Sequence, residues 1–274
     1  MHAILKHEFR KISFVKAGSV FTLGLLLTLG SFFASAISVW GADITTVFPD
    51  VDMWLMGLAS PSYIQYIFIY GYLPLCVAFV CNDVFYNEKK NGTLNYLHSR
   101  CSVWKILKAK ILFFALFSVL FIAVPMLTNW ILCWITFPSE TQALSNPTLQ
   151  ATYHARYYWI GAYMNDALLY SNPWLFVFTR IIINTLWCLV WSLVAFFGVI
   201  LGMKNRILIL LTPLLSLYGI SIVIIAFNIP APIFFLVSHH THGLFQYALI
   251  GIMASFVLLT LCWLLCRKKS DLLL

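Results

Sequence analysis

Six stretches of the chain are each long enough and apolar enough to cross a lipid bilayer. A hydrocarbon core about 30 Å thick requires about 20 apolar residues when the backbone is helical. The stretches lack the period-two alternation that lipid-facing barrel strands require. They therefore predict an all-α, polytopic integral membrane protein with six transmembrane helices. The predicted spans are Gly18–Trp40, Ser62–Cys81, Ile111–Thr136, Trp174–Gly202, Ile207–Phe227 and Leu244–Cys266.

The basic residues collect in alternate connecting segments. If the N-terminus is inside the cell, all Lys and Arg residues except Arg156 and Arg180 fall on the inner side, which is what the positive-inside rule favours. We therefore expect a multi-pass protein of a bacterial plasma membrane with both termini in the cytoplasm. The net charge of +8 then reflects topology, and we expect no nucleic acid partner. The alternative for the first span is a cleaved signal peptide ending near Ala36, although the apolar run continues past that site.

The segments outside the spans are short, so we expect a single membrane domain over residues 1–274. Residues 1–17 mix apolar and charged side chains in a pattern that predicts an amphipathic helix in the inner interface. Residues 137–173 form an outer loop rich in Tyr, which is typical of an interfacial belt, with a substrate surface as the alternative. Before the sixth span, the stretch Ile233–Val237 follows two prolines and is too short to cross, which predicts a re-entrant segment.

The sequence carries no common catalytic or nucleotide-binding motif. It contains no HExxH, no GxSxG and no GxxxxGK[ST] pattern. We therefore expect no enzyme activity, and no cofactor or metal bound to this chain. His239, His240 and His242 lie close together, but no Cys or carboxylate stands beside them to complete a metal site, and we interpret them as loop histidines.

Polar residues form a stripe on each of two predicted spans. On the fourth span they recur every four residues from Arg180, and on the first span a set of small residues begins at Gly24. Small-residue stripes usually serve close helix packing, with a lining for a translocation path as the alternative. Arg180 either snorkels to the outer headgroups or faces a cavity. The candidate seam or path residues are Thr28, Ser31, Ser35, Arg180, Asn184 and Ser192.

The segment 83–110 between the second and third spans is basic and also patterned. Asn91 is a suitable N-cap, and Gly92 permits a sharp turn before a short helical stretch that ends near His98. Ser99 or Ser102 can cap the next helix. A solvated loop would not need this apolar spacing, so we expect a short transverse helix on the cytoplasmic face.

In this segment the sequence resembles the ABC-2 type (ATP-binding cassette type-2) export permeases. In that family an E-x-x-x-G-T-L pattern is followed by further leucines, a small and basic turn, and a Lys at the start of the third span. Cys101 and Ala109 differ from the Pro and Gly that are common there. The matching residues are Glu88, Gly92, Thr93, Leu94, Leu97, Ser99, Arg100 and Lys110.

The resemblance implies the permease subunit of an ATP-driven exporter. Separate ABC ATPase subunits would carry ATP and Mg, and a second permease copy or a paralogue would complete a homodimer or heterodimer. Small members of the family export antimicrobial peptides, drugs or lipid-linked polymers, so a hydrophobic or amphipathic substrate is expected, such as an antimicrobial peptide or a drug. The ATPase-coupling residues would be Glu88, Gly92, Thr93, Leu94, Leu97, Arg100 and Lys110.

The alternative function belongs to a different class. A non-transporting membrane interaction protein, such as one conferring bacteriocin immunity, would bind a toxin or peptide at its outer loops. It would protect the cell without any ATPase partner.

Overall fold

The computed structural model describes residues 2–43, 67–93, 100–139, 172–201 and 203–226, with further single positions at 47, 50, 53, 54 and 64 and between 253 and 264. No strand occurs among these residues, and the all-α prediction is confirmed for them. The helices are α1 (His2–Lys11), α2 (Phe14–Ser38), α3 (Ile67–Lys90), α4 (Trp104–Thr136), α5 (Pro173–Leu201) and α6 (Arg206–Ala226).

Four helices in the described part of the chain are long and apolar enough to cross a membrane, namely α2, α3, α4 and α5. The apolar stretch of α6 that meets the same composition, Arg206–Gly219, is shorter. Membrane insertion of the chain therefore follows from four of the predicted spans. The sixth predicted span, the re-entrant segment, the three loop histidines and residues 140–171 of the outer loop lie outside the described residues, apart from single positions in that span.

Two helices extend beyond their predicted spans at the same end of the bundle. Helix α3 ends at Lys90, whereas the second span was predicted to end at Cys81, and α4 begins seven residues before the predicted Ile111. The prediction stopped where charged residues begin. In these extensions the buried charges Asp83, Glu88 and Lys110 all have partners of opposite charge, so they do not prevent the helices from continuing.

The N-terminal segment is helical, as predicted, and is joined to α2 by a short break. Helix α1 ends at Lys11, and Ser13 caps α2 by accepting a hydrogen bond from the Lys16 amide at 3.4 Å. The α1 helix packs against α4, where the ring of Phe9 meets the ring of Phe113 edge-on at 5.2 Å between centroids. The break therefore lets α1 fold back across the base of α4.

Helix α5 occupies the centre of the bundle, and α3, α4 and α6 pack around it. Buried tryptophans such as Trp187 and Trp191 fill this core. The Asn82 side chain on α3 donates a hydrogen bond to the Ser192 carbonyl of α5 at 3.1 Å. Helix α2 lies at the edge, and large apolar side chains such as Leu26 and Ile37 are exposed on its outer face. Such a face suits acyl chains.

Helices α3 and α4 contain short π-helical segments, which are Ile67–Tyr72 and Ala78–Asn82 in α3 and Val119–Ala123 in α4. Wide turns of this kind leave carbonyl groups available to outside donors. The Tyr72 hydroxyl lies 3.3 Å from the Phe121 carbonyl and 3.0 Å from the Val20 carbonyl, so it can donate to either. Tyr72 thereby joins α3 to both α2 and α4.

Candidate functional site: paired charges at the base of the helices

Four charged side chains meet where α1 crosses the ends of α3 and α4. The Lys110 ammonium lies 2.8 Å from Oε2 of Glu88 and 3.1 Å from Oε1 of Glu8, and the Lys11 ammonium lies 2.6 Å from Oε1 of Glu88. Glu8, Glu88 and Lys110 are each at most 3 % exposed. We call these four residues the buried charge cluster. It contains two positive and two negative charges, so it is neutral as a unit.

Each helix contributes to the buried charge cluster from a defined place. Glu8 lies on the face of α1 that packs against α4, Glu88 lies in the last turn of α3, and Lys110 lies near the start of α4. The Lys110 ammonium also lies 3.4 Å from the centre of the Phe85 ring, a cation–π contact one turn before Glu88. The cluster therefore fixes three helix ends relative to each other.

A second group of charges lies one to two turns earlier on α3. Asp83 accepts from the Lys16 ammonium at 2.6 Å and from the Arg206 guanidinium at 2.5 and 2.8 Å through two nitrogens. Asp83 is buried, whereas the side chains of Lys16 and Arg206 are about half exposed. We call these three residues the Asp83 cluster. It links α3 to α2 and α6. The Lys89 ammonium, near the end of α3, also donates to the Val199 carbonyl of α5.

The groups around Glu8 shift protonation equilibria in opposite directions. Burial raises the pKa of the Glu8 carboxyl and outweighs the Lys110 ammonium, which lowers it; the charge of Glu88 adds to the rise and Lys11 opposes it. Burial also lowers the pKa of the neighbouring His7, and Lys11 acts in the same direction. His7 therefore stays neutral near pH 7, and Glu8 binds a proton more tightly in the folded protein than in the unfolded chain.

A pH series on Glu8→Gln should isolate this effect. Because the pKa of Glu8 is higher in the folded protein, the stability it contributes is present below the unfolded pKa and is lost as the pH rises through the folded pKa. We expect wild-type protein to gain thermal stability relative to Glu8→Gln as the pH falls from 7 toward about 4.5. Lys11, Lys110, Glu88 and His7 are common to both proteins. Parallel melting curves over that range, recorded in detergent, would contradict the assignment.

One donor set in this site has the residue types of a metal centre. Donor atoms of His7, Glu8 and Glu88 lie within 4.8 Å of one another. The Lys110 ammonium, however, lies within hydrogen-bonding distance of both carboxylates, in the place that a cation would need. We therefore assign no metal to these residues.

The structure brings together two of the predicted ATPase-coupling residues. Glu88 and Lys110 form an ion pair inside the bundle, so neither is available on the surface to a docking protein. Gly92 is exposed, with φ at +70° and open space where a side chain would stand, as a sharp turn requires. Thr93 is half-buried and Arg100 is exposed. Leu94 and Leu97 lie outside the described residues.

The predicted caps of this segment can also be located in part. Ser102 lies just before α4 and has the extended backbone of an N-cap, but its hydroxyl makes no capping hydrogen bond. Its carbonyl instead accepts from the Lys105 amide at 2.9 Å. Asn91 is the C-cap of α3, with its amide bonded to the Asn87 carbonyl at 2.9 Å.

The polar stripes lie inside the bundle of this one chain. Thr28, Ser31 and Ser35 are buried on α2, which packs against the Val124–Thr136 part of α4. The Thr28 hydroxyl bonds to carbonyls of its own helix at 3.0 and 3.1 Å, which satisfies it in an apolar setting. Close packing between helices accounts for this stripe.

The stripe on α5 is also buried. Asn184 donates to the Met126 sulfur of α4 at 3.6 Å, and the Ser192 hydroxyl bonds to the Cys188 carbonyl at 2.7 Å. Arg180 is buried among these helices, where it is not on a lipid-facing surface. All three residues therefore lie between helices of the same chain in the described structure.

Sequence reasoning missed Glu8, Lys11, Lys16, Asp83 and Arg206 as site residues. A usable signal was present, because the chain has only nine acidic residues and three of them lie near apolar helix ends that are rich in Lys and Arg. An acid in such a place usually has a basic partner. Comparison of the chain with family models, curated proteins and solved structures gave no match.

Proposed function

We propose that the chain is the transmembrane permease subunit of an ATP-driven ABC exporter in a bacterial plasma membrane, with six spans and both termini in the cytoplasm. The observation that carries the proposal is the buried charge cluster. It joins the two helices that flank the segment resembling an ABC-2 coupling element, and it adds the N-terminal helix to them. A segment whose two ends are fixed in this way can transmit force to the spans.

The positions of Glu88 and Lys110 explain how a force on the segment between them would reach the spans. Glu88 precedes the Gly92 turn by four residues, and Lys110 lies eight residues after Ser102, the residue that caps the start of α4. The 2.8 Å ion pair between Glu88 and Lys110 therefore closes the base of the loop. A push on the loop by a partner would displace α3, α4 and α1 together, as rigid-body gating requires.

We assign the predicted coupling residues two roles. Glu88 and Lys110 act as positioning residues, since they are buried and hold the loop base. Gly92 supplies the turn, and Thr93, Leu94, Leu97 and Arg100 supply the surface that meets the ATPase. The partner binds ATP with Mg, and this chain binds neither.

The same proposal covers the remaining parts of the assembly. A second permease copy or a paralogue completes the transport path. The substrate is hydrophobic or amphipathic, such as an antimicrobial peptide or a drug. Support for this comes from the apolar outer faces of the described helices, which can exchange such a molecule with lipid.

Leu94→Ala tests the docking assignment. We expect the variant to reach the membrane at normal levels, because the change lies in a connecting segment outside the predicted spans, but to bind its ATPase at least tenfold more weakly. Co-purification with the partner ABC ATPase and ATP-dependent efflux from vesicles are the two measurements. The control is Lys108→Ala, an exposed residue on α4 that is outside the resembling pattern.

Two outcomes would contradict the proposal. If Leu94→Ala and Lys108→Ala bound the ATPase and supported efflux equally well, Leu94 would not be part of a docking surface. Alternatively, cells could keep full resistance to a toxin after the ATPase gene is deleted, which would favour the immunity protein that needs no energy source.

A further inference from the structure

A groove with one polar end runs between α2 and α6. The groove has a volume of about 440 Å³. Its polar end is formed by Lys16, Asp83 and Arg206, and its apolar part includes Val20, Phe79 and Leu210. This groove is separate from the buried charge cluster, and nothing in the proposed export mechanism uses it.

The polar end carries excess positive charge. Two cations share the single carboxylate of Asp83, which is buried, while the side chains of Lys16 and Arg206 are 53 % and 48 % exposed. Asn205 accepts hydrogen bonds from the Ile207 and Leu208 amides, so the first amides of α6 are already engaged. An anion in this groove would therefore be held by the two side chains and not by the helix terminus.

The apolar part opens to the outside of the bundle. Ile207 is 67 % exposed and Phe79 is 43 % exposed beside the groove. Lys16 lies near the start of α2 and Arg206 begins α6, so the charges are at the level where two apolar helices start. In a membrane this is the boundary between headgroups and acyl chains, and the groove crosses it.

We propose that this groove binds an anionic phospholipid, with its phosphate between Lys16 and Arg206 and one acyl chain along Val20, Phe79 and Leu210. Its occupant needs a negative group directly beside a long apolar chain, which matches such a lipid in charge and shape. A second copy of the chain would suit the groove poorly, since a two-fold contact would bring Lys16 and Arg206 close to the same basic residues of the other copy. The inference does not depend on the permease assignment.

Native mass spectrometry of the full-length protein in detergent can test the site with two probes. Phosphatidylglycerol and phosphatidylcholine with identical acyl chains differ mainly in net charge. We expect wild-type protein to bind phosphatidylglycerol more tightly, and Lys16→Gln to weaken that binding roughly fivefold without changing phosphatidylcholine binding. The control is Lys204→Gln, which removes the same charge from an exposed position outside the groove and should leave both affinities unchanged.

Asp83→Asn separates lipid recognition from a structural role of the Asp83 cluster. The variant breaks both ion pairs but keeps both cations, so we expect phosphatidylglycerol binding equal to or tighter than wild type. Leu210→Trp fills the apolar part and should weaken binding of both lipids. Equal affinity of wild-type protein for the two lipids would overturn the proposal. An equal loss of phosphatidylglycerol binding in Lys16→Gln and Lys204→Gln would also overturn it. Both of these tests remain valid if Asp83→Asn fails to fold.

Discussion

Lys110→Met should destabilise the protein by about 3–5 kcal/mol, the range expected when one partner of a buried ion pair is removed. Lys110 is 1 % exposed and lies between the carboxylates of Glu8 and Glu88. Without it, these two carboxylates face each other in a buried site, and among the described residues Glu88 keeps a basic partner, Lys11, whereas Glu8 has no other ion pair. Equilibrium unfolding in mixed micelles, followed by helical circular dichroism, measures the change.

Two further variants make this result specific. Lys105→Met removes a charge from an exposed position on the same helix, and we expect a change within about 0.5 kcal/mol. Adding Glu8→Gln to Lys110→Met removes the unpaired carboxylate, so the double variant should recover most of the lost stability. A Lys110→Met protein as stable as Lys105→Met, or a double variant less stable than Lys110→Met, would be incompatible with the buried charge cluster.

Gly24→Ala should destabilise the protein by about 1–3 kcal/mol, the usual range for overpacking a core. A Cβ atom at Gly24 would overlap the Tyr72 hydroxyl and lie 2.7 Å from the ring carbon that carries it. The Tyr72 ring is buried, and its hydroxyl contacts the Val20 and Phe121 carbonyls, so the ring cannot move away without losing those contacts. The same unfolding measurement applies.

Gly18→Ala is the matched control on the same helix. No atom lies within 4 Å of a Cβ built at Gly18, so the change adds only the helical preference of Ala. We expect no loss, or a gain of about 0.5–1 kcal/mol. The same substitution should thus have opposite signs at two positions six residues apart. Equal effects at Gly18 and Gly24 would show that Tyr72 does not occupy the space beside α2.

Much of the fold could be predicted from hydropathy because lipid requires long apolar helices. The predicted span Trp174–Gly202 nearly coincides with α5, since both of its ends are polar. The inner ends of α3 and α4 could not be placed, because hydropathy counts Asp83, Glu88 and Lys110 as unfavourable whether or not they are paired. The π-helical segments were missed too, as no residue type marks them.

The site was predicted only in part, for a related reason. The resemblance selected Glu88 and Lys110 by their positions in a pattern, but it placed them on a docking surface. Their partners Glu8 and Lys11 are about 100 and 80 residues away in sequence, and no local spacing rule connects charges so distant. Such a pairing depends on how the N-terminal helix folds back, which the Ser13 break allows and the sequence alone does not reveal.

The long separation between Glu8 and Lys110 also has a consequence for biosynthesis. The two residues are 102 positions apart, so the ribosome finishes α1 well before it adds the lysine that neutralises Glu8. At about 5–20 residues per second, the interval is about 5–20 s. During that time the Glu8 carboxylate has no Lys110 to pair with, so we expect α1 to stay exposed to water until the third apolar helix, α4, emerges. Helix α1 can therefore reach its final position only after the start of α4 has been synthesised.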